Sequence, residues 1–535
     1  MSGAAAFGPA VLPIRNALLS LSDRTGAAAL ARALLDHGAV LWATEGTASA
    51  LAAEGLAVRP VSDLVGQGAW LGGRVKTLHP TLLGGVLARR DVPGDVADLA
   101  ERGVPAIDLV VVTLYPFEDL PPGAGWARTI ETVDVGGVTL LRAAAKTVRD
   151  VAALSAPAQY AAAAAALADA GGIPWALRRD WAAAAFGRTA RYDAAIAMAY
   201  GALAASEGAG GDADAVADAP PATWISVHRR VRTLRYGENP HQAAALYAAA
   251  GGADVLDSVV EGKELSYNNL LDVAAAVALV GEFAQPACAV VKHNEPAGVG
   301  RGDGPLGAFE RAFAGDPLSA FGGVVAFNRE VDARAAAALA EPFLECVAAP
   351  SFSVGALDAL AAKKNLRLVR AAAPPPGAAR APRWEARPLG DALLVQGVRA
   401  GAAGLKLEVA GARAPTPDEM EALLFAWTVV GRARSNAIVV ARADRTLGIG
   451  SGQTSRIDAV HVALMKAARA GHDTAGAVLA SDGFFPFADW VAAAKSAGIT
   501  ACIEPGGSVR DKESIAACDA AGIALVFTGL RLFRH

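Results

Sequence analysis

Three stretches in the first third of the chain gather side chains that bind anions or move protons. Ser22, Asp23, Arg24, Thr25 and Gly26 lie where a strand-like run gives way to a helix-like one. Free amides at a helix start, together with the positive end of its dipole, attract a phosphate. The same turn reads equally well as a helix cap made by Ser22 or Asp23. Thr44, Glu45, Gly46 and Thr47 repeat the strand-to-helix pattern, and Gly73 to Pro80 (GRVKTLHP) holds Arg74, Lys76 and His79 close together. A solvated basic loop is the alternative there. Asp134 opens an expected helix on which Arg142 and Lys146 follow at i+4 spacing, so one face carries both bases and is reachable from the Asp134 end. Tyr115 ends the apolar run Asp108 to Leu114. Ligands of parallel sheets bind at such strand ends, although spacing alone makes Tyr115 a half-buried aromatic.

These residues need elements to hold them. Asn16 to Leu21 reads as strand, Gly26 to Asp36 as helix, Ala39 to Trp42 as strand and Thr47 to Glu54 as helix, a βαβ alternation that implies a parallel sheet. Between Ser206 and Thr223, Gly, Ala, Asp and the pair Pro220, Pro221 replace periodic apolar sequence, as in a linker. We therefore expect a first domain over 14–205, a linker over 206–222 and a second domain over 223–535. Strand and helix order recurs within the second, from Ala287 to Val291 and again from Ala437 to Ala441. That order suggests two α/β repeats, about 225–400 and 410–535.

Composition narrows the classes. A length of 535 residues calls for more than one core, and 53% hydrophobic with 19% charged residues describes a globular chain. The net charge of −4 supplies no basic field for nucleic acid. The mean hydropathy of +0.32 comes largely from alanine. Its longest uncharged run, Val151 to Ala168, contains Ser155, Pro157 and Gln159 and lacks the Leu, Ile and Phe of a spanning helix. Met1 to Pro13 reads as a loose tail without a signal-peptide pattern, so a cytoplasmic location is expected. Cys288, Cys346, Cys502 and Cys518 are too scattered for a CxxC pair and read as buried thiols; no HExxH occurs, so no metal is expected.

Ser22–Gly26, Gly73–Pro80, Leu114–Phe117 and Asp134–Lys146 together resemble the cyclohydrolase domain of the AICAR transformylase/IMP cyclohydrolase family. The likeness continues through LRYGENPHQ (Leu234–Gln242), KELSYNN (Lys263–Asn269), DPLSAFGG (Asp316–Gly323) and SNAIV (Ser435–Val439). It extends to Gly448–Arg456, Phe484–Phe487 and Pro505–Asp511. The resemblance implies an α/β chain with a methylglyoxal-synthase-like N-terminal domain and a duplicated cytidine-deaminase-like α/β C-terminal domain without the zinc. His293, Asn294, Glu295 spell the deaminase HxE, but the chain has no PCxxC to complete a zinc site.

The implied activity is bifunctional. A formyl group passes from 10-formyltetrahydrofolate, a co-substrate, to AICAR, and the product FAICAR closes to IMP with loss of water. Lys292 and His293 match the family's catalytic pair. Neighbours on a strand point to opposite faces, so both serve one site only if the strand ends there, as Pro296 and Gly298 suggest. The resemblance makes His293 the base toward the amine, Lys292 the proton donor or electrostatic support, and Asn436 the holder of the formyl oxygen or of His293. Arg235, Tyr236, Arg531 and Phe533 would contact nucleotide, and Phe484, Pro486 and Asp489 the folate. In the first domain Lys76 and the Thr77 amide would stabilise the oxyanion. Asp134, Lys146 and Tyr115 would shuttle protons, and Ser22, Arg24, Thr25, Thr47 and Arg74 would hold the 5′-phosphate. A homodimer with transformylase sites formed between subunits is implied as well, with neither nucleic acid nor membrane as partner.

The chain departs from the family at several positions. Glu45 stands where Gly is usual, Arg24 where Lys is, and Thr113 and Thr132 where many members carry Asn. A carboxylate near a phosphate dianion is repulsive by about 1 kcal/mol in solvent-like surroundings. Two further readings follow: a transformylase whose first domain is impaired by Glu45, and a nucleotide-binding scaffold without catalysis.

Overall fold

The computed structural model describes residues 8–121, 123–208, 220–249, 259–371, 384–398 and 405–535. The chain divides into two compact units near Arg229. Of the expected linker, 206–208 end a long helix, 209–219 lie outside the described residues and 220–222 carry neither helix nor strand.

In the first unit β1 (Asn16–Leu21), β2 (Val40–Ala43), β3 (Arg59–Pro60), β4 (Leu109–Thr113) and β5 (Ala152–Leu154) form a parallel sheet in the order β3-β2-β1-β4-β5. Successive side chains on a strand face opposite ways. Ala17, Leu19, Leu109 and Val111 accordingly join one buried cluster while Leu18, Val110 and Val112 join the other. Burial of both faces explains why these strands read as unbroken apolar runs. The helices are α1 (Ala27–Asp36), α2 (Glu45–Ala53), α3 (Pro80–Leu87), α4 (Gly136–Lys146), α5 (Tyr160–Ala170) and α6 (Trp175–Gly208). β1, β2 and β4 therefore deliver the Ser22, Thr44 and Tyr115 segments to one edge of the sheet.

Local chemistry shifts two expected helix starts. Gly26, at φ +74°, precedes α1 because a left-handed residue cannot belong to it. The helix containing Thr47 begins earlier, at Glu45, whose carboxylate suits the positive first turn.

The second unit contains a sheet of 12 strands among the described residues. Its first half comprises β6 (Val259–Glu261), β7 (Ala287–Lys292), β8 (Glu295–Arg301), β9 (Val324–Phe327), β10 (Cys346–Ala349) and β11 (Arg367–Arg370). Its second half comprises β12 (Glu408–Val409), β13 (Ile438–Arg442), β14 (Arg445–Gly450), β15 (Val478–Ser481), β16 (Ala501–Glu504) and β17 (Ala524–Phe527). The order is β6-β11-β10-β9-β7-β8-β14-β13-β15-β16-β17-β12, so β11-β10-β9-β7-β8 is repeated in reverse by β14-β13-β15-β16-β17. The helices match too. α7 (Tyr267–Val280), α8 (Pro305–Ala314), α9 (Ala333–Leu339) and α10 (Val354–Leu360) correspond to α11 (Pro417–Val430), α12 (Arg456–Arg469), α13 (Asp489–Ser496) and α14 (Asp511–Ala521). The duplication read from the sequence is thus present in the topology.

Glycine placement repeats with it. A Cβ on Gly298 of β8 would lie 2.0 Å from the Ala312 carbonyl oxygen, and one on Gly448 of β14 would lie 2.1 Å from that of Ala463. In each repeat a helix backbone rests directly on the strand. One face of the sheet is a single apolar cluster shared by both repeats, through Ala289 and Val291 of β7 and Val439 and Ala441 of β13. The opposite face is two separate clusters.

None of the described helices is long and apolar enough to cross a membrane. All four cysteines are buried free thiols, and burial pushes the Cys288 and Cys502 thiols well up.

Candidate active sites

At the strand-end edge of the first unit, Lys76, Thr77, Tyr115 and Asp134 converge. Asp134 precedes α4, and its Oδ1 accepts the Gly137 amide at 2.7 Å; the Tyr115 amide donates to the same carboxyl. The Thr77 hydroxyl packs so closely on Gly136 that a Cβ there would lie 2.4 Å from Oγ1. Burial raises the Asp134 pKa, while the Gly137 and Tyr115 amides and the Lys76 and Arg188 cations hold it down. A carboxyl balanced in this way suits proton exchange. Tyr115 is exposed, as a residue that meets a ligand must be.

Behind this cluster lies support that sequence reasoning missed. Tyr192, fully buried on α6, accepts the Asp134 amide at 2.7 Å and donates to the Thr132 carbonyl at 3.1 Å. Burial pushes its phenol up to about 12, so it stays a neutral hydroxyl. Arg188 stacks over its ring and pairs with Glu118. The signal was a tyrosine and an arginine one helical turn apart, unremarked inside a long alanine-rich helix.

Lys146 does not join Asp134. It ends α4 while Asp134 lies before its start, and ten residues at 1.5 Å each separate the helix ends by about 15 Å. The i+4 pattern correctly gave a shared face for Arg142 and Lys146, both exposed, but it said nothing of distance along the axis. Lys146 therefore falls outside the acid/base cluster of a single chain.

The expected phosphate residues fall into two groups. Ser22 donates to the carbonyls of Leu114 at 2.6 Å and Thr113 at 3.0 Å, and Asp23 Oδ1 accepts the Thr25 amide at 2.9 Å. Thr47 is buried, its hydroxyl accepting the Leu21 amide at 3.0 Å. These side chains shape the turns, and a phosphate would have to exchange their bonds. Arg74 pairs with the exposed Glu131. Arg24 reaches the start of α2, where a Cβ on Gly46 would lie 3.3 Å from its Nη2; its cation thus sits beside the segment that carries Glu45. His79 Nδ1 accepts the Thr81 amide at 3.2 Å and so caps α3. Thr113, in place of the family's Asn, accepts the Asp23 amide at 2.9 Å and so holds the turn.

In the second unit Lys292 ends β7 and pairs with Glu295, leaving His293 and Asn294 as a two-residue hairpin turn. Both turn residues have positive φ, +55° and +64°, the geometry that matches the twist of the flanking strands. Lys292 and His293 thus do leave a strand together, but through this turn; Pro296 and Gly298 lie within β8 and are not the cause. Asp272 on α7 accepts the Asn294 amide at 2.6 Å and also that of His293. Lys292 Nζ donates to the Phe321 carbonyl at 2.7 Å.

The Asn436 segment adjoins this turn. The Arg434 amide donates to Glu295 Oε2 at 3.1 Å, and the Arg534 guanidinium reaches Asn294 Oδ1 at 3.5 Å. Asn436 itself accepts from Arg456 Nη2 at 2.7 Å and donates to the carbonyls of Gln453 at 3.0 Å and Thr454 at 3.2 Å. Arg456 is buried and paired with Asp482. The guanidinium groups of Arg531 and Arg456 lie over the Phe533 ring, 4.5 and 5.9 Å from its centroid. Phe484, Pro486 and Asp489 form an exposed rim, while Phe485 beneath stacks on Trp490 at 4.4 Å. Arg235 stacks on Tyr236 in a loop tied to the start of α7 by Asn268 and the Glu238 carbonyl.

Each of the two α/β units brings acid and cationic side chains to a strand end, an arrangement suited to an α/β enzyme. Residues 26–139 match the model of the MGS-like domain, and residues 144–466 match that of the AICARFT/IMPCHase bienzyme. The bifunctional purine biosynthesis protein PurH of Acidithiobacillus ferrooxidans is 46% identical over 527 residues, 98% of this chain and 99% of that protein. The protein of the same description from Anaeromyxobacter dehalogenans is 48% identical over 535 residues, 97% of this chain and 100% of its own length. The chain belongs to the AICARFT/IMPCHase bienzyme family. It is a bifunctional enzyme of purine biosynthesis, joining AICAR formyltransferase to IMP cyclohydrolase.

Proposed function

We propose that the second unit transfers the formyl group of 10-formyltetrahydrofolate to AICAR and that the first closes FAICAR to IMP. The observation that carries this division is the His293–Asn294 turn, which releases Lys292 and His293 at a strand end beside the Asn436 segment. His293 takes the proton of the attacking amine, a weak nucleophile. Lys292 supports the folate nitrogen as it leaves, and Asn436 either exchanges one of its bonds to the Gln453 and Thr454 carbonyls to hold the formyl oxygen or orients His293. Arg235, Tyr236, Arg531 and Phe533 form the nucleotide side, and Phe484, Pro486 and Asp489 the folate side.

In the cyclohydrolase centre the carboxamide nitrogen attacks the formyl carbon. Lys76 and the Thr77 amide meet the charge that develops on oxygen, and Asp134 and Tyr115 exchange protons. Ser22, Arg24, Thr25, Thr47 and Arg74 surround the 5′-phosphate, with the Arg24 cation offsetting Glu45. No step calls for a metal, and the sequence lacks the PCxxC of zinc deaminases. The working form in this reading is a cytoplasmic homodimer with shared transformylase sites. Exposed Leu389, Leu393 and Leu394 on the hairpin Trp384–Gly397 supply apolar surface for assembly.

The test is to incubate the purified protein with AICAR and 10-formyltetrahydrofolate, following tetrahydrofolate release and IMP formation separately, with FAICAR alone in parallel. IMP is expected from both starting points. Tetrahydrofolate release with stranded FAICAR would overturn the cyclohydrolase half and implicate Glu45, and absence of release would overturn the roles of Lys292 and His293.

A further inference from the structure

The two repeats of the second unit place a short polar residue directly after equivalent strands, Asn328 after β9 and Asp482 after β15. Each accepts an amide at the start of the neighbouring strand: Asn328 Oδ1 that of Ala287, the first residue of β7, at 2.8 Å, and Asp482 Oδ1 that of Ala437, the residue before β13, at 3.1 Å. Asn328 spends its remaining capacity on backbone, donating to the carbonyls of Phe283 and Gln285 at 2.8 Å each. Its repeat shows that this corner of the fold needs no charge.

Asp482 does something different with the same position. Fully buried, it accepts from the Ser435 hydroxyl and from Arg456 Nη1, the two residues that bracket Asn436 in space. The other arm of Arg456 donates to Asn436 Oδ1 at 2.7 Å. Gly483 leaves the guanidinium no slack, because a Cβ there would lie 2.5 Å from both Arg456 Nη2 and Phe533 Cε1. A buried carboxylate is costly unless paired and hydrogen-bonded. What this one adds over the asparagine of the sister repeat is a hold on Arg456 and Ser435.

We propose that Asp482 is a positioning residue for formyl transfer, fixing Asn436 through Arg456 and Ser435 while touching no substrate itself. This rests on the assignment of formyl transfer to the second unit. Asp482→Asn imports the arrangement of the sister repeat and is expected to lower kcat for tetrahydrofolate release by about tenfold or more, with KM for 10-formyltetrahydrofolate and the rate of FAICAR closure within about twofold of wild type. Adding Asp482→Asn to Arg456→Met is expected to lower kcat by less than a further factor of about two, since residues acting through one another are not additive. That pair also serves if Asp482→Asn alone folds poorly, because it leaves no unpaired buried charge.

Unchanged kcat in Asp482→Asn, or losses that multiply in the double variant, would overturn the role of Asp482. Absence of tetrahydrofolate release from the wild-type chain would instead overturn the assignment beneath it, so the two failures are distinct.

Discussion

His293 and Asn294 occupy the left-handed region in succession, which costs a residue with a Cβ about 1–2 kcal/mol. Asparagine tolerates it and histidine does so less readily, so the turn needs an outside tie. Asp272 provides one by accepting both amides. Burial raises its pKa, while those amides and the nearby His293 hold it down. Asp272→Ala is expected to lower kcat for formyl transfer by about tenfold to a hundredfold, roughly 1.4–2.7 kcal/mol, because the base loses its fixed position. Asp272→Asn keeps an acceptor oxygen and is expected to lose less than about threefold. Steady-state kinetics of both variants would decide it, and equal losses would show that charge, not the hydrogen bond, is what Asp272 supplies. The pair Lys292 and His293 was singled out by the family resemblance alone, since by residue type and spacing it reads as an ordinary strand end. Asp272 was not singled out at all, because it lies 22 residues before Asn294 and no spacing rule links a helix interior to a distant turn. Arg456 and Asp482 escaped for the same reason, and Ser22 and Thr47 were recognised by type while the bonds that occupy them were invisible.

Among the elements, the apolar runs of β1, β4, β7 and β13 marked the central strands of the two sheets, the first parallel and the second mixed, since burial on both faces leaves a continuous signal in the sequence. Helix periodicity gave faces but not reach, hence the expected meeting of Asp134 and Lys146 that a single α4 does not allow. A further consequence lies at the end of β16, where Glu504 is fully buried with one oxygen accepting the Phe485 amide at 2.8 Å. Its Oε1 has no hydrogen-bond partner among the described residues. Burial pushes its pKa up to about 8, with Asp511 adding to the rise and the Phe485 amide and Arg456 opposing it. Between the ordinary carboxyl range and pH about 8, the folded chain keeps a proton that the unfolded chain releases, so stability falls as pH rises, by up to about 1.4 kcal/mol per unit. Glu504→Gln keeps an acceptor for Phe485 and cannot ionise. Its advantage over wild type in urea unfolding midpoint is expected to widen from pH 5 to about 8 and to level off above that, where the folded chain releases the proton as well. Parallel midpoint curves for the two proteins would show that Glu504 is already ionised in the fold.

For the whole molecule, the proposed division places the two reactions on residues of different units of the chain. Lys76, Thr77, Tyr115 and Asp134 depend on the strand ends of the first sheet and on α4 and α6, while Lys292, His293 and Asn436 depend on the paired repeats. A substitution in one centre should therefore leave the other reaction intact, since sites without shared partners act independently. Lys76→Ala should form FAICAR from AICAR without closing it, and His293→Ala should close added FAICAR without forming it. Equal amounts of the two variants, supplied with AICAR and 10-formyltetrahydrofolate, are then expected to make IMP after a lag in which FAICAR accumulates, whereas each variant alone makes little. The lag should shorten as more His293→Ala protein is added, because closure then consumes FAICAR faster at the same rate of supply. Loss of FAICAR closure in His293→Ala, or loss of tetrahydrofolate release in Lys76→Ala, would instead show that the two centres are not independent.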